Sequence, residues 1–179
     1  KKLTVLNKTL RIVFTGSIYS KKPSPVMLLD AIVNLVNKKK IPKNAIITEF
    51  YGSRLDHIKN LSQKSKYLNL ISIKGHIPRL NVLEEQKKAD LLLLLASSKE
   101  ISRGELTGKI FEYMSAGRPI LCIGGRSNFE ISKVLNLTNT GLVFEEHNKE
   151  KLEDLLCKSY YGGGLFKTYK PKIDQVLKF

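Results

Sequence analysis

Apolar residues fall along this chain in short uninterrupted runs separated by stretches of helical period. Residues 11–17, RIVFTGS, form a β-branched and aromatic run ending near Gly16, the pattern of a buried strand that turns into a loop. Residues 45–51, 69–74 and 90–96 repeat it, and the last of these, DLLLLLA, is the most hydrophobic stretch of the chain. Ser24 and Pro25 suit the cap and first position of a helix running through residue 36, with Leu28, Leu29, Ile32, Val33, Leu35 and Val36 as its apolar face. A weaker helix is expected over 54–63, and another around 81–88 after the turn Gly75-His76-Ile77-Pro78. Later come a helix closed by Gly117 and Pro119, the strand PILCI, a helix near 129–136, a strand over 141–144 and a helix over 149–160. The triplet Gly162-Gly163-Gly164 precedes a last amphipathic helix over 170–178. Fully apolar strands alternating with helices predict an α/β fold built on a doubly wound parallel sheet, Rossmann-like, in one domain.

Composition narrows the partners. The chain has 179 residues, 42% hydrophobic and 26% charged, enough to bury one substantial core and far from the composition of disorder. Lys and Arg number 31 against 16 Asp and Glu, a formal charge of +15 that selects anionic partners: nucleic acid, an anionic lipid surface or a phosphorylated ligand. Two cysteines, Cys122 in an apolar strand and Cys157 in a helix, make no disulfide framework and read as small core residues in a reducing compartment. No apolar run reaches the roughly 18 residues of a membrane helix, and there is neither a D-x-D pair nor a His/Cys spacing suited to a metal.

In a doubly wound sheet the ligand lies outside the carboxyl ends of the strands. The loops there carry Gly16, Gly52, Gly75 and Gly124 with Lys21, Lys22, Arg54, Arg79, Arg103, Lys109 and Arg126. Such a rim suits a diphosphate, although a basic α/β protein of any kind can show it. Within GELTGKIFEYMSAGRPILCIGG, residues 104–125, Thr107 is a candidate N-cap and Gly108 permits close approach to the backbone. Lys109 follows in the first turn, where it opposes the helix dipole; unless it points into water, it suggests an anion held jointly by ammonium and N–H groups. Glu112 stands three positions on, on the adjoining face, while Ile110, Phe111 and Met114 bury the helix.

The run K-x-x-E-Y-M-x-A-G-R-P-I-L resembles the donor-site signature in the C-terminal half of GT-B glycosyltransferases of the group 1 type, retaining enzymes of bacterial surface-polysaccharide synthesis. The resemblance extends from Arg11 onward. It implies that Gly16 and Lys21 or Lys22 lie near the donor phosphates, that His76, Ile77 and Pro78 form the nucleobase turn, that Lys109 with the Thr107 and Gly108 N–H groups holds phosphate, and that Glu112 accepts from ribose hydroxyls. One departure stands out. The usual E-x7-E places a first glutamate where Gly104 stands, so Glu105, or else Arg103 or a backbone N–H, takes the sugar contact. Lys109 and Glu105 are thus the expected catalytic pair.

By the same resemblance the donor is a nucleotide sugar, with uridine expected, used without metal or other cofactor. The acceptor is a lipid-linked saccharide of O-antigen or capsule synthesis, bound by an N-terminal domain. Residues 1–10 are expected to be an interdomain linker remnant, and residues 165–179 to return toward that domain. A cytoplasmic protein, peripheral at the anionic membrane face, is implied, with no nucleic-acid partner because Tyr51, Phe111 and Phe144 fall in core positions rather than among the basic residues. Two other readings stay open: a nucleotide-sugar 2-epimerase of the same architecture, and a basic nucleic-acid-binding module.

Overall fold

The computed structural model describes residues 9–18 and 23–179. Most of the expected linker and both Lys21 and Lys22 lie outside the described residues. Six parallel strands, β1 (Leu10–Thr15), β2 (Ile46–Tyr51), β3 (Ile71–Gly75), β4 (Leu91–Ala96), β5 (Ile120–Gly124) and β6 (Gly141–Phe144), form one sheet in the order β3-β2-β1-β4-β5-β6. The order reverses between β1 and β4, which sets the ligand crevice of a doubly wound sheet beside the end of β1.

Strand alternation distributes the core over two faces. Ile12, Phe14, Leu91, Leu93, Leu121 and Ile123 turn toward α1 (Val26–Asn37), α2 (Asp56–Ser62) and α6 (Lys149–Tyr160). Val13, Leu92, Leu94, Ile120 and Cys122 turn the other way, onto α4 (Gly108–Ser115) and α5 (Glu130–Thr138). Both sets are almost wholly buried, which is why the strands read as continuous apolar runs. One buried acid breaks the pattern. Glu49 in β2 accepts from Arg11 at 2.5 Å and from the Tyr51 hydroxyl at 3.2 Å, and Arg11 also pairs with Glu85 of α3 (Arg79–Lys88) at 2.7 Å. This cluster ties α3 to β1 and β2 and offsets the desolvation of the carboxylates.

Several expected boundaries move for physical reasons. Helix α1 begins at Val26 with Pro25 in the cap position, because the Ser24 hydroxyl is committed to His57 Nε2 at 3.0 Å and reaches the Val26 N–H at only 3.4 Å. Helix α3 starts directly after Pro78 rather than near residue 81. Of the helix expected over 170–178 only a four-residue helix forms, α8 (Ile173–Val176) after Pro171, and another four-residue helix, α7 (Leu165–Thr168), precedes that range. The second is docked on α5: the Lys172 N–H donates to the Thr138 carbonyl at 2.8 Å, and Asn139 Nδ2, in the left-handed cap of α5, donates to the Lys170 carbonyl at 2.8 Å. Phe179 then stacks on Phe111 with ring centroids 5.7 Å apart. Among the described residues no helix is long and apolar enough to cross a membrane.

Candidate functional site

Helix α4 builds the site. Ile110 and Met114 are buried as their spacing requires, Phe111 is half-buried, and Tyr113, which the sequence reading passed over, is fully buried. The Tyr113 hydroxyl accepts the Thr15 N–H at 3.0 Å and so fastens α4 to the end of β1. Thr107 does occupy the cap position, with extended backbone, but its exposed hydroxyl makes no capping bond. That corrects the expectation of a side-chain cap. Among the described residues the Thr107, Gly108 and Lys109 N–H groups donate to no protein acceptor, so the positive end of the helix dipole is left open.

Lys109 stands in the first turn of the same helix, with its ammonium against the end of β1. Its Nζ is so close to Gly16 that a Cβ on the glycine would sit 2.6 Å from it, and it faces the rings of Phe14 and Tyr113 at 5.7 and 5.6 Å from their centroids. Gly16 has φ +128°, and its N–H donates to the Tyr51 carbonyl at 2.7 Å. The Gly52 N–H repeats the bond to the Gly75 carbonyl at 2.7 Å, so three glycine turns stack across the ends of β1, β2 and β3. Among the described residues Lys109 Nζ makes no hydrogen bond or ion pair. Burial pushes its pKa below that of an ordinary lysine, and Arg79 adds to this against the opposing pull of Glu112. A cation that is desolvated but unpaired, beside open N–H donors, is arranged to receive an anion.

Glu112 stands on the same helix with both oxygens engaged. Oε2 accepts from Arg79 at 2.7 Å and Oε1 accepts from Gln86 Nε2. Gln86 is fully buried, and its amide also donates to Thr15 Oγ1 at 2.8 Å. Burial pushes the Glu112 carboxyl up, but the hydrogen bonds from Gln86 and Arg79 outweigh it and hold it below the usual carboxylate range. A cavity of about 440 Å³ opens between α3 and α4 beside these groups, lined by Arg79, Gln86, Gly108, Phe111 and Glu112 among others. A larger one, about 580 Å³, lies on the α1 and α6 side near Ser24, His57, Ser97 and Lys149, and contains neither Lys109 nor Glu112.

The structure thus brings together Gly16, Thr107, Gly108, Lys109 and Glu112. It adds Arg79 as a partner, Gln86 and Tyr113. Gln86 carried one faint signal: α3 reads RLNVLEEQKK, with no apolar stripe of its own, yet places a glutamine three residues before the buried Ala89. His76 is exposed and Ile77 half-buried against the core around Tyr113 and Met114. Glu105 is exposed; its N–H donates to the Ser102 carbonyl at 3.1 Å, and among the described residues its carboxylate pairs with nothing. Arg103 and Arg126 are spent on Glu100, at 3.5 and 3.4 Å. Among the described residues no group of three His, Cys, Asp or Glu side chains gathers to hold a metal ion.

A family model described as "Glycosyl transferases group 1" matches residues 9–160. No curated protein matches the chain. Among solved structures, the C-terminal domain of LpcC, a glycosyl transferase group 1 family protein from Francisella tularensis, superposes with a TM-score of 0.64 at 19% identity, covering 94% of this chain and 85% of that one. WaaG, a glycosyltransferase involved in lipopolysaccharide biosynthesis, gives 0.63 at 18% identity over 96% of this chain and 42% of its own. HepE of Anabaena, solved with UDP and glucose, gives 0.59 at 16% identity over 88% and 42%. This chain therefore spans less than half the length of WaaG and HepE.

Proposed function

The chain belongs to the group 1 glycosyl transferases, and from that premise we propose that it is the donor-binding half of a retaining GT-B enzyme that takes a sugar from a nucleoside diphosphate. The observation that carries this reading is Lys109: a desolvated ammonium against Gly16, unpaired among the described residues, beside open α4 N–H groups. The diphosphate binds across Gly16, Lys109 and the Thr107 and Gly108 N–H groups, and Glu112 accepts from the ribose. Cleavage of the sugar–phosphate bond leaves negative charge on the departing diphosphate. A fixed cation and N–H dipoles stabilise that charge more strongly in the transition state than in the bound donor, so the diphosphate calls for no metal.

Uridine is the proposed base, supported by the UDP held in HepE. Glu105, whose carboxylate has no partner among the described residues, is the proposed contact to the donor sugar. The proposed acceptor is a lipid-linked saccharide of surface-polysaccharide synthesis, a reading supported by the likeness to WaaG and by a charge of +15 that favours an anionic membrane face. Calorimetric titration of this chain with UDP, GDP and ADP, beside a Lys109→Ala, Glu112→Ala double variant, tests the core of the proposal. Binding of UDP that the variant loses is the expected result. Absence of binding by all three, or equal binding by the variant, refutes it.

A further inference from the structure

Glu112 cannot be directed by its own helix alone. Its carboxylate is three bonds removed from the backbone, and its exposed partner Arg79 keeps 71% of its side-chain surface in solvent. The rigid partner is Gln86. That side chain is fully buried, its amide nitrogen donates one hydrogen to Glu112 Oε1 and the other to Thr15 Oγ1 at 2.8 Å, and Thr15 is held in turn by the Tyr113 hydroxyl. The amide cannot be turned round, because a carboxylate only accepts and so requires the NH₂ side. The consequence is that Gln86 Oε1 is buried without a donor among the described residues.

A buried carbonyl oxygen with no partner is destabilising. The orphan oxygen is a cost in the empty domain, while the Gln86 nitrogen is well placed for one task. We propose that Gln86 is a positioning residue, fixing the rotamer of Glu112 through the amide bridge from Thr15 so that the carboxylate meets the ribose hydroxyls. This inference rests on the donor-site reading above, in which Glu112 takes the ribose.

The test compares UDP with 2′,3′-dideoxyuridine diphosphate on the unaltered chain, on Gln86→Met, on Glu112→Ala and on the double variant. Methionine keeps the length and volume and removes the bridge. The expected result is that Gln86→Met weakens UDP roughly tenfold, about the loss of one well-placed hydrogen bond, and leaves the dideoxy analogue unchanged. Added to Glu112→Ala, it should have no further effect on UDP. Equal weakening of both ligands, unchanged UDP affinity, or a further loss on the Glu112→Ala background overturns the positioning role. If instead Glu112→Ala binds UDP as tightly as the unaltered chain, or the unaltered chain binds no UDP, the donor-site reading itself fails and the inference falls with it.

Discussion

Replacing Gly16 by alanine separates the two roles that this position combines. The first is conformational. At φ +128° an L side chain is strained, at a cost of about 1–3 kcal/mol, which for a chain of this length lowers the melting temperature by roughly 2–12 °C. The second is steric: the new methyl would lie 2.6 Å from Lys109 Nζ. The strand end is pinned by the Gly16 N–H bond to Tyr51, so the flexible lysine yields and the ammonium leaves its place against the end of β1. A charge-assisted hydrogen bond to a phosphate is worth about 1.5–3 kcal/mol, so the dissociation constant for UDP should rise between roughly tenfold and 150-fold.

Strain in the free protein leaves the affinity of the folded state unchanged, so calorimetry and thermal melting read the two effects independently. A Gly16→Ala, Lys109→Met double variant decides the route. If alanine acts by displacing Lys109, the double variant binds UDP no more weakly than Lys109→Met alone. Unchanged UDP affinity in Gly16→Ala, with Lys109 intact, would refute the reasoning outright. Additive losses in the double variant would show that Gly16 meets the ligand through its own backbone.

Two further outcomes follow from the same geometry. Burial pushes the Asp30, Glu112 and Glu153 carboxyls up, but hydrogen bonds from Lys66 and Tyr67, from Gln86 and Arg79, and from Lys38 and Asn34 outweigh it, while the Arg11 hydrogen bond holds Glu85 low. All four then bind protons more weakly folded than unfolded, so their stabilisation is complete above the ordinary carboxylate range near pH 4 and is lost as pH falls below it; melting curves should be flat from about pH 7 to 5 and drop steeply under about pH 4, and a flat profile down to pH 3 would contradict the assignment. Tyr113→Phe removes the buried acceptor of the Thr15 N–H and should cost about 1–3 kcal/mol in a urea-unfolding measurement, whereas an unchanged midpoint would mean that α4 is not held to β1 by this bond.

What could be read in the amino-acid order and what could not divides along the range of the interaction. The strand at Gly141–Phe144 and the helix at Lys149–Tyr160 fall where their residues suggest, because apolar runs and turn residues act within one element. The placing of Lys109 and Glu112 three positions apart on one helix was legible for the same reason. Gln86 was not, since its meaning depends on a threonine from β1 and a glutamate from α4 converging on it. Nor was the pairing of Arg79 with Glu112, which only the packing of α3 beside α4 creates. Ser24 failed as a cap because a histidine from another helix competes for its hydroxyl.

The remaining misreading is of a different kind. A capping side chain at the start of α4 would be worth about 1 kcal/mol, yet Thr107 leaves the end bare. A lysine in a first turn opposes the helix dipole, yet Lys109 is there and partly buried. A buried carbonyl oxygen without a donor carries a desolvation cost, yet among the described residues Gln86 Oε1 is left so. Each choice is unfavourable for the empty protein, and all three border the same helix end. Local rules fail independently and at scattered places when packing alone overrides them. Failure concentrated at one end of one helix, each instance leaving a donor or a cation unsatisfied or a carboxylate held rigid, is the pattern expected where stability has been given up for a ligand. The open N–H groups and the ammonium at that end suit the anionic donor proposed above.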